Sequence, residues 1–256
     1  LVHSFPTTGK TSVKQYREDV GACIQRLEDR EFYLIVDLYG RVHTNITSLP
    51  AALRCCLSCN GKPLVSIDLK NSQPLMMGIV SRRYFAGKNM PQKYLRMMFD
   101  KRQDTYAYRS LPSMEKRSLP DVEELLDLCQ SGQLYESFNH ANVERSKFKA
   151  KFFTEVMFGK NRIKSAVKNA FSAKFPNVAG MLERLKTPDH SRAAKIMQNL
   201  EATIFIHNIC GRLLRECPEM FLLTIHDSVL LVAGETNKVK EVIADEFKRF
   251  GIEPPL

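Results

Sequence analysis

The sequence predicts an α/β chain of the α+β kind, rich in helix and organised around an antiparallel sheet. Three observations predict it. Residues 221–225 and 228–232 are apolar runs separated only by His226 and Asp227, the spacing of two antiparallel strands joined by a two-residue turn. Residues 32–36 and 64–67 are two further short runs rich in β-branched and aromatic residues. Much of the remaining chain places its apolar residues three and four apart, the period of an amphipathic helix.

Taken in order, residues 1–14 are polar, contain Pro6 and Gly9, and read as a frayed end. The strand at 32–36 leads into Asp37-Leu38-Tyr39-Gly40-Arg41, and the strand at 64–67 ends on Asp68. Pro74 suits a first helical turn, and Leu75, Met76, Ile79 and Val80 follow at helical spacing. The stretch 100–120, dense in Lys, Arg, Ser and Pro, reads as a surface loop. Asp121 is placed to cap an amphipathic run over 122–128. Residues 144–174 form two basic helices divided near Gly159, a long helix spans about 190–216 and stops before Pro218, and 236–250 is a last amphipathic helix.

Composition narrows the function. The 256 residues carry 44% hydrophobic and 26% charged side chains, which is globular and not disordered usage. A net charge of +10 favours a polyanionic partner, nucleic acid first among them. No apolar run approaches the roughly 20 residues a membrane helix needs, and no signal peptide heads the chain, so neither membrane spanning nor export is expected. Seven cysteines, an odd number, point to free thiols in a reducing intracellular compartment. Cys56-x-x-Cys59 lacks a second pair at zinc-finger spacing, and Cys55 and Cys59 read as core residues on one helical face. The chain begins on Leu1 and not on Met, which leaves room for flanking domains or partner subunits. No repeat or linker divides it, so 1–256 reads as one unit.

Asp68 and Asp227 carry the chemistry, because each ends an apolar strand. A carboxylate there has few ways to stay ionised, a divalent cation being one, and two converging carboxylates suit two Mg²⁺ ions, with Mn²⁺ as a substitute, in phosphoryl transfer. Taken singly, each Asp also fits an ordinary turn or cap. Between them lies a basic, aromatic helix in which Lys147 and Lys151 share one face, with Phe158 two turns on. Such cations suit a triphosphate, and an aromatic ring there can stack on a base; a solvated basic face over a Phe-rich core fits the same pattern. His43, His140, His190 and His207 have no partner at ligand spacing.

The order of these pieces resembles the polymerase core of family A DNA polymerases and phage-type single-subunit RNA polymerases. Ile67-Asp68-Leu69-Lys70-Asn71-Ser72-Gln73 is similar to motif A, whose Asp binds metal. Lys147-x3-Lys151-x6-Phe158-Gly159 is similar to motif B, usually written Arg-x3-Lys-x6–7-Tyr-Gly, with Lys for Arg and Phe for Tyr. The alternative register, Arg145-x3-Lys149, keeps the Arg but lies too far from Phe158-Gly159. Ile225-His226-Asp227-Ser228 resembles motif C, which reads His-Asp-Glu in the DNA enzymes and His-Asp-Ser in the RNA enzymes. Met197-Gln198 resembles the Met-Gln that precedes motif C, and Asp37-x-x-Gly40-Arg41 resembles the element upstream of motif A.

The resemblance implies a right-hand polymerase fold without a full thumb, the palm at about 30–85 and 190–256 and the helical fingers at about 86–189. It implies template-directed 5′→3′ nucleotidyl transfer from nucleoside triphosphates to a primer–template. Asp68 and Asp227 would hold the metals, Lys147 and Lys151 the triphosphate, and Phe158 the incoming base pair. Arg41, Gln198 and His226 would position primer–template. Gln73 stands five residues after Asp68, where the DNA polymerases place a Glu that crowds out a 2′-hydroxyl; this leans the expectation to DNA synthesis, against Ser228 and the Arg41 element, which look like the RNA enzymes. The rivals are a single-subunit RNA polymerase, a polymerase-derived protein that binds nucleic acid without catalysis, and a two-metal nuclease.

Overall fold

The computed structural model describes residues 12–85, 119–138 and 144–256. Helix α1 (Val13–Glu28) precedes a hairpin of β1 (Leu34–Val36) and β2 (Val42–Thr44). The short helices α2 (Asn45–Ser48) and α3 (Ala51–Arg54) lead to β3 (Ser58–Cys59), β4 (Lys62–Asp68) and α4 (Ser72–Phe85). Then come α5 (Pro120–Gln130) and α6 (Arg145–Lys151), which runs directly into a π-helical stretch, Phe152–Met157. Helices α7 (Ala166–Lys174) and α8 (Pro176–Leu185) precede α9 (Arg192–Ala202), which continues through a second π-helical stretch, Thr203–Cys210, into α10 (Gly211–Glu216). Strands β5 (Leu222–Ile225) and β6 (Ser228–Val232) and helix α11 (Thr236–Lys248) close the described chain.

The main sheet has four antiparallel strands in the order β3-β4-β6-β5. Period-two alternation decides its two faces. Ile67, Val229 and Leu231 turn into the core with Val65 packed against them, while Ser66 and Asp68 emerge on the other face. The register sets Asp68 opposite Ser228 and Ser66 opposite Leu230. Behind the sheet, α4 is the central helix: Leu75, Met76 and Met77 are fully buried, as are Leu125 and Leu126 of the neighbouring α5. Mixed helix and antiparallel sheet is thus the architecture that the sequence predicts. Among the described residues no helix is long and apolar enough to cross a membrane.

Several local expectations are corrected. The chain is already helical from Val13, earlier than the frayed end expected over 1–14, of which 1–11 lie outside the described residues. Helix α3 stops at Arg54, so Cys55 and Cys56 are exposed and not core residues. Asp121 lies inside the first turn of α5, and its carboxylate instead accepts from the backbone N–H of Asn177 at 2.8 Å, tying the start of α8 to α5. Of the expected loop at 100–120, all but its last two residues lie outside the described residues, as does His140.

Close packing of α4 on α5 yields a stability prediction. A methyl group on Gly78 would meet Leu126 Cδ2 at 2.5 Å and Cγ at 2.9 Å. Gly78→Ala should cost about 1–3 kcal/mol through overpacking. Thermal unfolding should show it as a fall of roughly 2–4 °C per kcal/mol.

Candidate active site at the sheet edge

Two left-handed residues deliver the two strand-end carboxylates. His226, at φ +53°, makes the tight turn between β5 and β6 and leaves Asp227 at its tip. Asn71, at φ +55°, bends the chain from β4 into α4 three residues after Asp68. Asn adopts this conformation readily; His does so at some cost. The Leu69 N–H donates to the Asp227 carbonyl at 3.2 Å, locking the two segments together.

Asp68 and Asp227 open into one cavity of about 390 Å³. Its floor is the turn that carries Lys70, Asn71, Ser72 and Gln73, and its opposite wall holds Tyr135, Arg145, Lys149 and Phe153. Burial, then the carboxylates of Glu201 and Asp68, push the Asp227 pKa up to about 6. Asp68 is raised too, by desolvation and by Glu201, while the ammonium groups of Lys149 and Lys70 pull it back. Glu201 itself is 1% exposed. It is held by Arg41 Nη2 at 2.5 Å, by the Ser72 hydroxyl at 2.7 Å and by the Gln73 side-chain amide. Because a carboxylate only accepts, the contact fixes the Gln73 amide with its NH₂ towards Glu201.

The basic helix departs from the expected register. At about 100° per residue, Lys147 and Lys149 lie some 200° apart around α6. Arg145, Lys149 and Phe153 line the cavity, and Lys147 and Lys151 do not. Lys147 is 73% exposed and pairs with Glu144 at 3.3 Å. Eight residues separate Lys149 from Phe158, one more than the motif allows. The π-helical stretch absorbs the excess: the Phe158 N–H donates to the Phe153 carbonyl, five residues back, at 2.9 Å. Phe158 does not line the cavity but packs its ring on Phe153, centroids 5.7 Å apart. The buried Lys186 donates to the Val156 carbonyl inside the wide turn, and burial, with the nearby Lys168, lowers its pKa to about 8. Only glycine fits at 159, where a Cβ would strike the Thr154 carbonyl and come within 2.9 Å of Ile163 Cδ1.

The remaining expected residues are spread around this centre. Arg41 is drawn in by the β1–β2 turn, where Asp37 accepts from the N–H groups of Tyr39 at 2.8 Å and Arg41 at 3.0 Å. Gln73 lines the cavity. His226 is exposed at the turn, with its ring 6.2 Å from that of His43. Gln198 is half-buried on α9, and Glu201, one turn further along, is the residue of that helix which reaches Gln73. Glu201, Tyr135, Arg145, Lys149 and Phe153 were not assigned from the sequence; for Arg145 and Lys149 the signal was the alternative motif register.

Among the described residues no group of three or more His, Cys, Asp or Glu has metal-holding geometry. Two carboxylates raised by burial and by the nearby Glu201 nonetheless fit a hard divalent cation of the Mg²⁺ type, which takes one or two protein carboxylates and completes its shell with water and phosphate oxygens. No protein-family model matches the chain, and no curated protein matches it. Among solved structures it is similar to the POL domain of Pol1 from M. smegmatis, in complex with DNA primer-template and dNTP, at 12% identity and a TM-score of 0.42. The similarity covers 88% of this chain and 46% of that one, so this chain spans less than half the neighbour's length. At that identity and score it assigns no residue a role.

The raised Asp227 pKa predicts a stability effect with a definite sign. The folded value, about 6, lies above the ordinary carboxylate value of 3.8, so ionising Asp227 costs the folded state stability as pH rises through that interval. Asp227→Asn should therefore melt above the wild type at pH 7.5, by about 1–3 kcal/mol, and the gain should fade as pH falls from 6 towards 4. Millimolar Mg²⁺ should raise the wild-type melting temperature and leave the variant's nearly unchanged. Equal melting at pH 7.5 would remove the electrostatic account.

Proposed function

We propose that this chain is a template-directed nucleotidyltransferase that extends the 3′ end of a nucleic-acid strand with nucleoside triphosphates. One observation carries the proposal: two strand-end carboxylates and two cations of a facing helix open into the same cavity. An enzyme of this type needs acidic groups where metal and hydroxyl meet, and cations where the triphosphate lies. Lys149 and Arg145 would grip the triphosphate, in place of Lys147 and Lys151. Phe153, backed by Phe158, would stack on the incoming base. Mg²⁺, or Mn²⁺, held by Asp68 and Asp227 would supply the positive charge that phosphoryl transfer requires.

Arg41, Gln198 and His226 remain proposed for the primer–template side. Gln73, pinned by Glu201, would stand against the sugar, and its fixed bulk favours deoxynucleotides; the family reading with ribonucleotides is the alternative. The two cations facing the carboxylates favour polymerisation over a two-metal nuclease, which has no triphosphate to hold. They also favour catalysis over a binding-only role, for which convergent carboxylates would repel the nucleic acid.

Primer extension with labelled primer–template, Mg²⁺ and nucleotides tests the proposal. Asp68→Asn and Asp227→Asn should each lower extension by about 10²–10⁴-fold and leave primer–template affinity within a few-fold. Lys149→Ala should lower kcat/KM for the nucleotide by roughly 10–100-fold, while Lys151→Ala and Lys147→Ala stay near wild type. Shortening of the primer would point to the nuclease, and neither change to the binding protein. A loss on Lys151→Ala without one on Lys149→Ala would return the register to the one expected from sequence.

A further inference from the structure

A second cavity of about 340 Å³ opens on the sheet face that carries Ser66 and Asp68, and Asp68 lines it as it lines the first. Its walls include Ser66 and Leu230, which face each other across β4 and β6, Ser228 beside Asp68, and Arg54 at the end of α3. Arg54 is the unusual member. Among the described residues its guanidinium makes no ion pair or side-chain hydrogen bond, and its Nε is buried without a partner. A half-buried guanidinium left unpaired in this way has its desolvation uncompensated by the protein.

We propose that this cavity is a phosphodiester subsite and that Arg54 is its cation, holding a backbone phosphate near the 3′ end of the strand being extended. The assignment rests on the nucleotidyltransferase reading of the Asp68–Asp227 site. Transfer needs two polyanions on either side of the carboxylates, the triphosphate and the strand that attacks it. The first cavity carries Lys149, Arg145 and Lys70 and takes the triphosphate. The second shares Asp68 with it, has Arg54 in its wall, and is otherwise lined by small and apolar side chains and two serines. A guanidinium can bind two phosphate oxygens at once through its fork, and the exposed Ser66 hydroxyl can donate to the same group, whereas the Ser228 hydroxyl is taken by the Ile225 carbonyl at 3.0 Å. Arg54 is a positioning residue here: it sets where the strand lies, and the chemistry stays with Asp68 and Asp227.

Binding of labelled primer–template, measured by fluorescence anisotropy over a range of salt, tests the assignment. Arg54→Gln should raise Kd roughly 3–10-fold near 0.1 M salt and lower the slope of log K against log salt by about 0.9, the loss of one phosphate contact. Arg54→Lys should restore the slope. The second arm replaces the last few primer linkages, one at a time, with neutral methylphosphonate. At one position the neutral linkage should weaken the wild type as much as Arg54→Gln does and should weaken Arg54→Gln no further. A variant with wild-type affinity and slope, or one as sensitive as the wild type at every neutral linkage, overturns the assignment. If the wild type extends the primer and Arg54→Gln matches it throughout, only the Arg54 assignment falls. A wild type that neither binds nor extends primer–template removes the nucleotidyltransferase reading and this one with it.

Discussion

Three carboxylates occupy one small region of this molecule, and among the described residues only Glu201 makes an ion pair. Glu201 is buried and paired with Arg41; Asp68 and Asp227 are left to repel it and each other. The surrounding structure is arranged about that imbalance. Asp37 braces the turn that brings Arg41 to Glu201, and Ser72 and Gln73 begin α4 with their polar groups on the same carboxylate. A domain has only about 5–15 kcal/mol of net stability, so uncompensated charge must be offset by core packing. The fully buried side chains of α4 and α5 are part of that packing.

The same trade shows in the backbone. The residue before Asp227 and the third residue after Asp68 both take left-handed conformations, the first setting Asp227 at the tip of its turn and the second bending the chain away into α4 after strand alternation has placed Asp68. Strain of about 1–3 kcal/mol at such positions persists only where neighbours over-determine it. Here the Leu69 bond to Asp227 and the β4–β6 ladder do so.

How much of this could be read from the sequence depended on how local each cause is. The hairpin and the two strand-end Asp residues were legible because strand alternation and a two-residue turn are short-range signals. Glu201 was not: on α9 it is one polar residue among others, and its burial follows from partners 160 and 128 positions away. Arg54 was hidden for a similar reason, since its place over the sheet depends on a four-residue helix with no periodicity to announce it. Lys149 was legible in the alternative register, which its long spacing to Phe158-Gly159 set aside, because a wide turn in Phe152–Met157 has no composition of its own. Cys55 and Cys59 failed through the opposite assumption, a helix continued past its real end.

Those wide turns carry a consequence for how the chain tolerates change in length. A π-helical turn is an α-helix holding one residue more than its rise requires. The two described here lie in Phe152–Met157, between Lys149 and Phe158, and in Thr203–Cys210, just after Glu201. Deleting one residue from either would let the helix relax to ordinary α geometry with both flanks still facing as they do now. The same deletion within Arg145–Lys151 or Arg192–Ala202 would turn everything beyond it by about 100°. The helix that lines the site and the helix that carries Glu201 thus have slack at defined points, where chain length can vary while the facing side chains keep their phase.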